Sequence, residues 1–381
     1  MTVSILFALP WTLLPLLALL IMRRRPTLER WPPLAAGGAP LVSAIVPARN
    51  EEQNVGACLD GLLASDYPRL EVLVVDDGSS DRTAEVVRAR AGPGLRLMRA
   101  GALPPGWFGK PWACWRGAAE ATGELLLFTD ADVIYHPEAI SRAVSLLKDR
   151  RADLVTLIPR QLLASFWERL VMPQITTMMQ LRYPDPERVN RSRRARDKLG
   201  VGGFLLLRRE AYQGIGGHLS VRFEVAEDLR LAQGLHAAGR RVVLAVGDRF
   251  VSVRMYRSLR EIFEGWTKNV AIASRQVVPA ALRAATPWLL VGWLLLAWLF
   301  PPLVLLLVAA GALGAGWGVW GGVAAGAGVL FWAVVYRRLG LPLWYSLLFP
   351  FGAAVAAAIL LCSALRGGRV RWKGREYRVE Q

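Results

Sequence analysis

Cysteine and histidine are both scarce, with three of each among 381 residues. Cys58, Cys114 and Cys362 lie far apart and form no C-x-x-C pair, which argues against a disulfide framework and a zinc knuckle. Neither His136 nor His218 has a partner at metal-binding spacing, so we expect structural roles for both. The cysteine pattern therefore fits reduced thiols in a cytosolic compartment.

Two further absences narrow the class of protein. No G-x-G-x-x-G motif follows the first predicted strand, which argues against an NAD-dependent enzyme. The apolar stretch 287–365 contains no Asp, Glu, Lys or His. This stretch lacks the acids and bases of an ion path or a proton relay, and we interpret it as an anchor in lipid.

Acidic residues are outnumbered, with 30 Asp and Glu against 47 Lys and Arg and a formal charge of +17. Nearly all of the positive charge is arginine. A surface of anionic lipid accounts for such a charge without nucleic acid, so we predict no nucleic-acid partner. Because 54% of the residues are hydrophobic and the mean hydropathy is +0.31, part of the chain is expected to lie in the bilayer.

The chain starts with an apolar run, Val3 to Met22, followed at once by Arg23, Arg24 and Arg25. About twenty uncharged residues are enough to cross a hydrocarbon core. A secretory signal carries its positive charge before the apolar run, so this order favours an uncleaved anchor over residues 1–25. The positive-inside rule then places the following residues in the cytoplasm, as part of a multi-pass protein of the cell (inner) membrane.

Three apolar segments, near 287–309, 315–336 and 342–365, form a predicted membrane region over residues 285–366. Three crossings would leave the C-terminus outside, yet the tail of residues 367–381 is strongly basic and favours the cytoplasm. One segment is therefore expected to be re-entrant or interfacial, with a helix break at Pro301-Pro302 or among the glycines of 311–322. The number of crossings stays open at this point.

Between these regions, short apolar runs alternate with helical patterns. Residues 31–40 are predicted to be a linker, and strands are predicted at 41–46, 70–75, 124–129 and 152–157, with a helix starting near Asn54. The alternation predicts an α/β domain with a mainly parallel, Rossmann-like sheet, whose ligands bind outside the carboxyl ends of the strands. Polar clusters follow the first three strands at that edge.

Four motifs in order carry a family resemblance. They are Pro47-Ala-Arg49-Asn50-Glu51, Val75-Asp76-Asp77-Gly78-Ser79-Ser80-Asp81, Asp130-Ala-Asp132 and Glu227-Asp228. This pattern resembles inverting glycosyltransferases of family two and implies a GT-A catalytic domain over residues 41–275. The segments Pro105 to Cys114, Gly265 to Asn269 and Trp372 to Tyr377 look like the narrower group that acts on carotenoid or hopanoid lipids. The chain lacks the Q-x-x-R-W signature of processive relatives, which favours single transfer.

The resemblance places Asp77, with Pro47, Arg49 and Glu51, in the pocket for the donor nucleotide. A carboxylate after a buried strand can accept hydrogen bonds from a nucleobase or from ribose hydroxyls. D-G-S is also a common turn and helix-capping sequence, so a purely structural role for Asp77 stays open.

Asp130 and Asp132 offer hard oxygen ligands for Mg²⁺ or Mn²⁺, which would bridge the two phosphates of a nucleotide sugar. A D-x-D pair occurs often by chance, and its position at the end of the strand 124–129 is what supports a metal role. In the family pattern the second aspartate, here Asp132, is the more direct ligand, and Asp130 also borders the donor.

Glu227-Asp228 opens a helical pattern, and the resemblance makes Asp228 the general base for the acceptor hydroxyl. The alternative is that both acids only favour the helix N-terminus electrostatically. Lys110 lies in a predicted loop, as a contact to the donor phosphates or as an ordinary surface lysine. The apolar run 166–181 and the basic run 188–198 suggest an interfacial helix, or else a buried helix and a solvated loop.

Together these features predict a membrane-bound, metal-dependent, inverting hexosyltransferase. The resemblance implies UDP-glucose as the donor and a lipid hydroxyl, such as that of a carotenoid or hopanoid, as the acceptor. A polyprenyl phosphate is the alternative acceptor, because it is already ionised and needs no base. A membrane transporter or scaffold with an inactive nucleotide fold is the non-enzymatic alternative, against which the ordered acidic motifs argue.

Overall fold

The computed structural model describes residues 7–22, 26–34, 37–366, 369–372 and 375–378. It divides into two compact units, each built from three stretches of the chain. Residues 1–23, 163–185 and 256–367 form the helical unit, and residues 24–162, 186–255 and 368–381 form the sheet unit. Arg23 to Arg25 of the predicted anchor and Lys373 of the predicted tail lie outside the described residues.

Helices and strands are numbered along the chain. The strands are β1 (Val42–Ala48), β2 (Leu70–Asp76), β3 (Leu95–Arg99), β4 (Leu125–Phe128), β5 (Val133–Tyr135), β6 (Leu154–Ile158), β7 (Arg160–Gln161), β8 (Leu205–Arg208), β9 (Val242–Val246), β10 (Val251–Val253), β11 (Arg369–Trp372) and β12 (Arg375–Arg378). The helices are α1 (Leu9–Ile21), α2 (Val55–Leu63), α3 (Thr83–Arg88), α4 (Gly109–Glu120), α5 (Ala139–Asp149), α6 (Phe166–Arg182), α7 (Pro186–Arg191), α8 (Arg209–Gly214), α9 (Glu227–Ala237), α10 (Leu259–Gln276), α11 (Thr286–Leu294), α12 (Phe300–Ala309), α13 (Ala315–Arg338) and α14 (Phe349–Arg366).

The main sheet has seven strands in the order β3-β2-β1-β4-β8-β6-β9. The pairs β1-β2, β1-β4, β2-β3 and β6-β9 are parallel, whereas β8 runs antiparallel to both β4 and β6. The predicted mainly parallel sheet is confirmed. Because β8 is reversed, the loop before it lies at the same edge as the carboxyl ends of β1, β2 and β4.

β1 extends beyond its predicted end at Val46 and includes Pro47. Ile45 accepts a hydrogen bond from Thr129 on the β4 side, and β4 pairs with β1 only as far as Ile45. Residues two apart along a strand face the same neighbour, so Pro47 faces a side where pairing has ended. Its missing N–H therefore breaks no ladder bond, and the strand carries the chain on towards Arg49.

The predicted linker, residues 31–40, begins with a core residue. Trp31 is buried, and its Nε1 donates to Asp149 Oδ2 at 2.9 Å. Leu28 is buried beside it in the core that also contains β1 and α5. The sheet unit thus starts before Leu41, because Leu28 and Trp31 bury apolar area in its core. The composition of residues 31–40 does not reveal this burial.

Among the described residues, three helical segments of the helical unit are long and apolar enough to cross a membrane. They are Thr286–Ala309, Ala315–Arg338 and Leu343–Arg366, each of 24 residues. These bounds match the three predicted apolar segments. Residues 7–22 of the predicted N-terminal anchor are described, and within them α1 has 13 residues, which is shorter than a span of about twenty.

The Pro301-Pro302 pair does not break its helix. A π-helical turn, Leu295–Leu299, precedes it and joins α11 to α12. Prolines cannot donate to the preceding turn, and the wider π turn accommodates the missing N–H groups. The break falls instead between α12 and α13, where Gly311 adopts a φ of +75°.

The predicted helix at 166–181 is present as α6, and it packs against α14 within the helical unit. Gln174 Nε2 donates to the Phe349 carbonyl at 3.4 Å. α10 packs on α14 as well, and the Ala271 N–H donates to Ser363 Oγ at 3.2 Å. α6 therefore has a buried protein-facing side, as in the buried-helix alternative for this run.

Candidate active site

Arg49 joins the carboxyl ends of β1 and β2. Its Nη1 donates to the carbonyl oxygens of Asp77, at 2.5 Å, and Gly78, at 3.1 Å. Two residues further on, the Glu51 N–H donates to Thr83 Oγ1 at 2.8 Å. These bonds hold the two segments predicted to bind the nucleotide beside one another.

Asp77 is 4% exposed, and its backbone N–H donates to Ala48 at 2.9 Å. The turn after β2 uses its neighbour instead, because Asp76 Oδ1 accepts from the Ser79 N–H at 2.9 Å. Asp77 Oδ2 accepts from Arg375, whereas Oδ1 is buried with no partner among the described residues. The Asp77 carboxylate therefore does not accept the hydrogen bond that closes the local turn.

At the end of β4, the reversed strand β8 brings the Gly202-Gly203 loop alongside Asp130. Thr129 Oγ1 donates to the Gly203 carbonyl at 3.0 Å, which holds this loop next to the D-x-D segment. The loop contributes backbone only, so charged side chains from neighbouring elements can approach it closely.

Lys110 lies in the first turn of α4 rather than in the predicted loop. Pro111 is tolerated one position later, since the first N–H groups of a helix have no intrahelical acceptor. Lys110 Nζ lies 2.6 Å from Asp130 Oδ1 and 2.7 Å from Glu227 Oε1. Although burial lowers the pKa of Lys110, nearby carboxylates raise this pKa well above its ordinary value. The side chain is therefore a fixed cation.

Asp228, the second residue of α9, reaches the same place. Its Oδ2 accepts from the Gly202 N–H at 2.7 Å, and its Oδ1 accepts from the Leu229 N–H at 2.8 Å. A Cβ at position 202 would lie 2.8 Å from Lys110 Nζ, 3.0 Å from Asp130 Oδ2 and 3.2 Å from Asp228 Oδ2. Three charged groups from three elements thus converge on the space that Gly202 leaves open.

Burial raises the pKa of Asp228 to about 6, and the adjacent Glu227 carboxylate acts in the same direction. Both carboxylates lie in the first turn of the helix, as the helix-terminus alternative requires. Asp228, however, also bonds the loop before β8, outside its own helix. Its position therefore combines a helix terminus with a shared polar site.

Among these acids, Asp132 is the one whose ionised form is destabilised most. Burial raises its pKa to about 8, and the charges of Asp130 and Glu51 add to this effect. Its Oδ1 is buried and has no hydrogen-bond partner among the described residues. A buried carboxylate oxygen without a donor is what a cation would satisfy.

At this edge, Asp132 Oδ1 is the buried carboxylate oxygen that a divalent cation could use as a ligand. The described residues contain no group of three or more His, Cys, Asp or Glu side chains that could enclose a metal ion. Asp132 and Asp130 would supply oxygen ligands, and a hard cation that keeps positions for phosphate and water needs few protein ligands.

The predicted site residues fall into two groups of the sheet unit. Asp130, Lys110 and Asp228 meet around Gly202, while Arg49 and Asp77 meet at the ends of β1 and β2. Asp132 and Glu51 influence each other through their charges. Pro47 lies in β1 beyond the last residue that pairs with β4, and its side chain offers no polar group.

Two residues in direct contact with these groups received no such role from the sequence. Glu227 pairs with Lys110, and Arg375 of β12 pairs with Asp77. Glu227 directly precedes the predicted base, and this position was a sequence signal that it belongs to the site. No local pattern links residue 375 to residue 77. His218 is buried against Tyr212, 2.9 Å from its hydroxyl, as expected for a structural histidine.

A mainly parallel sheet with acidic segments at the carboxyl ends of its central strands is the architecture of GT-A glycosyltransferases, and this chain has that fold. A mannosyltransferase from Pyrobaculum calidifontis, solved in complex with GDP-Man and Mn²⁺, shares 20% identity and a TM-score of 0.55. The match covers 96% of this chain and 97% of that chain.

The sequence model of Glycosyl transferase family 2 matches residues 43–216 of this chain. A 4,4'-diaponeurosporenoate glycosyltransferase of Staphylococcus haemolyticus is 28% identical over 254 residues, 65% of this chain and 66% of that protein. The protein of the same name from Staphylococcus aureus strain USA300 is 26% identical over 255 residues, 65% of each. The match thus spans just under two thirds of the length of these relatives.

Proposed function

We propose that the protein is a membrane-bound, inverting glycosyltransferase that transfers a hexose from a nucleotide sugar to a hydroxyl of a lipid. The observation that carries this proposal is the meeting of Asp130, Lys110 and Asp228 around Gly202. Fixed charges of both signs at the carboxyl edge of the sheet suit a charged diphosphate next to a proton acceptor.

In this mechanism Asp228 acts as the general base. A hydroxyl has a pKa far above neutral, so it needs a proton acceptor as its oxygen attacks the anomeric carbon. With a pKa of about 6, Asp228 is a stronger base than an ordinary aspartate and is still ionised at neutral pH. The new bond forms as the bond to the diphosphate breaks, so one direct displacement inverts the anomeric centre.

The other charged residues act on the donor. Asp77 and Arg49 would hold the nucleotide, and Lys110 would place positive charge near the leaving phosphate. Asp132 and Asp130 would hold Mg²⁺ or Mn²⁺, which offsets negative charge on the departing diphosphate. Glu227 keeps Lys110 in place through its 2.7 Å contact.

UDP-glucose is the proposed donor by family resemblance, and the Pyrobaculum mannosyltransferase with GDP-Man makes a GDP-linked sugar the rival. A carotenoid or hopanoid lipid is the proposed acceptor. The name of the staphylococcal relatives supports the carotenoid class of lipid, and the three described helices able to cross a membrane support a lipid acceptor.

The decisive variant is Asp228→Asn, which keeps the shape of the side chain but cannot accept a proton. We expect unchanged binding of the donor nucleotide and loss of transfer by about 10²- to 10⁴-fold, the usual contribution of a general base. Asp60→Asn, which removes an exposed aspartate paired with Arg90 in the same unit, is the control and should keep full activity. Unchanged turnover in Asp228→Asn would remove this residue from the mechanism.

The acceptor can be identified by lipid mass spectrometry on a host with and without the gene. A hexose-sized mass difference confined to one lipid class would name the acceptor. Lipid profiles that are identical in the two strains, under conditions where the protein is present in membranes, would contradict lipid glycosylation.

A second candidate is transfer to an acceptor that is already ionised. The relatives are named for a carboxylate, diaponeurosporenoate, and a polyprenyl phosphate is the other such acceptor. Neither has a hydroxyl proton to lose at neutral pH, so Asp228→Asn would then keep its activity.

A further inference from the structure

The end of the chain returns to the sheet unit after the last apolar helix. β11 and β12 pair as an antiparallel hairpin, and Arg375 is the first residue of β12. Arg375 Nη1 donates to Asp77 Oδ2 at 2.5 Å, and its Nη2 lies 3.4 Å from the Asp77 carbonyl oxygen. Residues 298 positions apart therefore form one charged pair at the carboxyl end of β2.

This pair differs from an ordinary surface ion pair because Asp77 is 4% exposed. The Arg375 side chain is 25% exposed, so the pair is partly sheltered from water and is screened by salt less than a pair at the surface. Only one carboxylate oxygen is used, and no described group donates to Asp77 Oδ1. The pair therefore leaves a buried, oriented acceptor without a partner.

Gly109, the first residue of α4, shows how closely this pair is enclosed. A Cβ at position 109 would lie 2.7 Å from Arg375 Nη1 and would overlap Asp77 Oδ2. The start of α4 thus passes over the pair with no side chain in between. The turn after β2, the start of α4 and the start of β12 therefore meet at the Asp77 carboxylate.

We propose that Arg375 is a positioning residue of the donor site, fixing Asp77 through Oδ2 so that Oδ1 accepts a hydrogen bond from the nucleoside of the donor. The inference rests on the proposed function. A planar guanidinium suits this task because its donors are held in a fixed fork. Without Arg375, the buried carboxylate loses its counter-charge and its orientation, and nucleotide binding weakens.

The test measures binding of UDP, and in parallel GDP, to the purified full chain in detergent with Mn²⁺. Arg375→Gln should weaken binding of the preferred nucleotide by about ten- to a hundredfold, the usual range for a lost hydrogen bond to a charged group. Arg375→Lys keeps the charge but not the fork and should recover part of this loss. Arg90→Gln, which breaks the exposed pair with Asp60, is the matched control and should leave binding unchanged.

Two further measurements separate positioning from a general loss of structure. With transfer as the readout, Arg375→Gln should raise the donor KM while kcat at saturating donor is kept. Because Arg375 acts through Asp77, Asp77→Asn combined with Arg375→Gln should bind no more weakly than Asp77→Asn alone. Thermal unfolding of each variant checks that the sheet unit is intact.

Unchanged nucleotide binding in Arg375→Gln overturns the inference while the proposed function stands, provided that wild type binds and transfers. Tighter binding also overturns it, since Arg375 would then block the pocket. A wild-type chain that binds neither nucleotide overturns both the inference and the proposed function.

Discussion

At the scale of single residues, the surroundings of Asp132 destabilise its ionised form. Its pKa rises from an ordinary 3.8 to about 8 because of burial and the charges of Asp130 and Glu51. Between about pH 4 and pH 8, in the absence of metal, Asp132 is therefore protonated in the folded chain and ionised in the unfolded chain. Stability should fall as pH rises through this window.

A divalent cation should reverse this effect through Asp132. We expect Mn²⁺ at a hundredfold excess over its Kd to stabilise wild type by about 2.7 kcal/mol, because a ligand that binds only the folded state shifts the equilibrium by mass action. Asp132→Asn should lose this stabilisation and the pH dependence together. Thermal unfolding with Mn²⁺ or with EDTA checks both, and an equal Mn²⁺ shift in the two proteins would exclude Asp132 as a ligand.

The raised pKa of Asp228 predicts the pH profile of transfer. The base must be ionised, so kcat/KM should fall about tenfold per pH unit below a limb near pH 6. An aspartate with an ordinary pKa of 3.8 would place this limb about two units lower. Initial rates between pH 4.5 and 8, with unfolding followed in parallel, measure its position. A flat profile down to pH 5 would contradict a buried base.

At the scale of elements, the contact of α14 with α6 depends on Gly352. A Cβ at this position would lie 2.6 Å from the Leu170 carbonyl oxygen, which is backbone and cannot turn aside. Gly352→Ala should therefore push the two helices apart and destabilise the helical unit by about 1–3 kcal/mol, the usual cost of overpacking.

A second glycine supplies the control for this substitution. Gly326 lies inside α13, and a Cβ there would meet nothing within 4 Å. Gly326→Ala should be neutral or slightly stabilising, since alanine is the better helix former. Thermal unfolding in one detergent compares the two variants, and an equal melting temperature for both would show that α6 and α14 do not meet so closely.

The sequence predicted the elements that end in polar clusters. β1, β2 and β4 are short apolar runs closed by Asp77, Asp130 and similar residues, and their parallel pairing followed from the intervening helices. β8 escaped prediction because Leu205 to Leu207 could belong to a strand or a buried helix with equal ease. Its reversed direction depends on partners far away in the chain, and local pattern does not encode these.

The candidate site was predictable to a similar degree. Asp77, Asp130, Asp132 and Asp228 stand at element ends, where position along the chain already suggests a shared edge. The contacts of Lys110 and Arg375 were not predictable, because they depend on which helix terminus or hairpin lies over that edge. Distances decide such contacts, and sequence spacing does not.

At the scale of the whole molecule, each compact unit is assembled from separated stretches of the chain. α6 and α10 precede the three apolar segments yet belong to the helical unit with them. Ile175 and Ile262 are buried in that unit, and exposing a side chain of this size costs about 1.5–3 kcal/mol. Borders drawn by hydropathy alone therefore do not separate the units.

A fragment of residues 24–285 tests this arrangement. It keeps α6 and α10 but lacks α14, so their buried faces would meet water. We expect the fragment to aggregate without detergent, whereas the full chain in detergent elutes as a defined species in size-exclusion chromatography. A monomeric fragment in plain buffer that unfolds at the temperature of the full chain would contradict the assignment of these helices.

The pairing of α6 with α14 also has a consequence for synthesis on the ribosome. Roughly 170 residues separate the two helices, which at ~5–20 residues per second leaves α6 without its partner for roughly ten to thirty seconds. During that interval its apolar face is available to chaperones, to the insertion machinery or to other nascent chains. Slower translation or a shortage of chaperones should therefore reduce the yield of this protein at that stage, before its last helix has emerged.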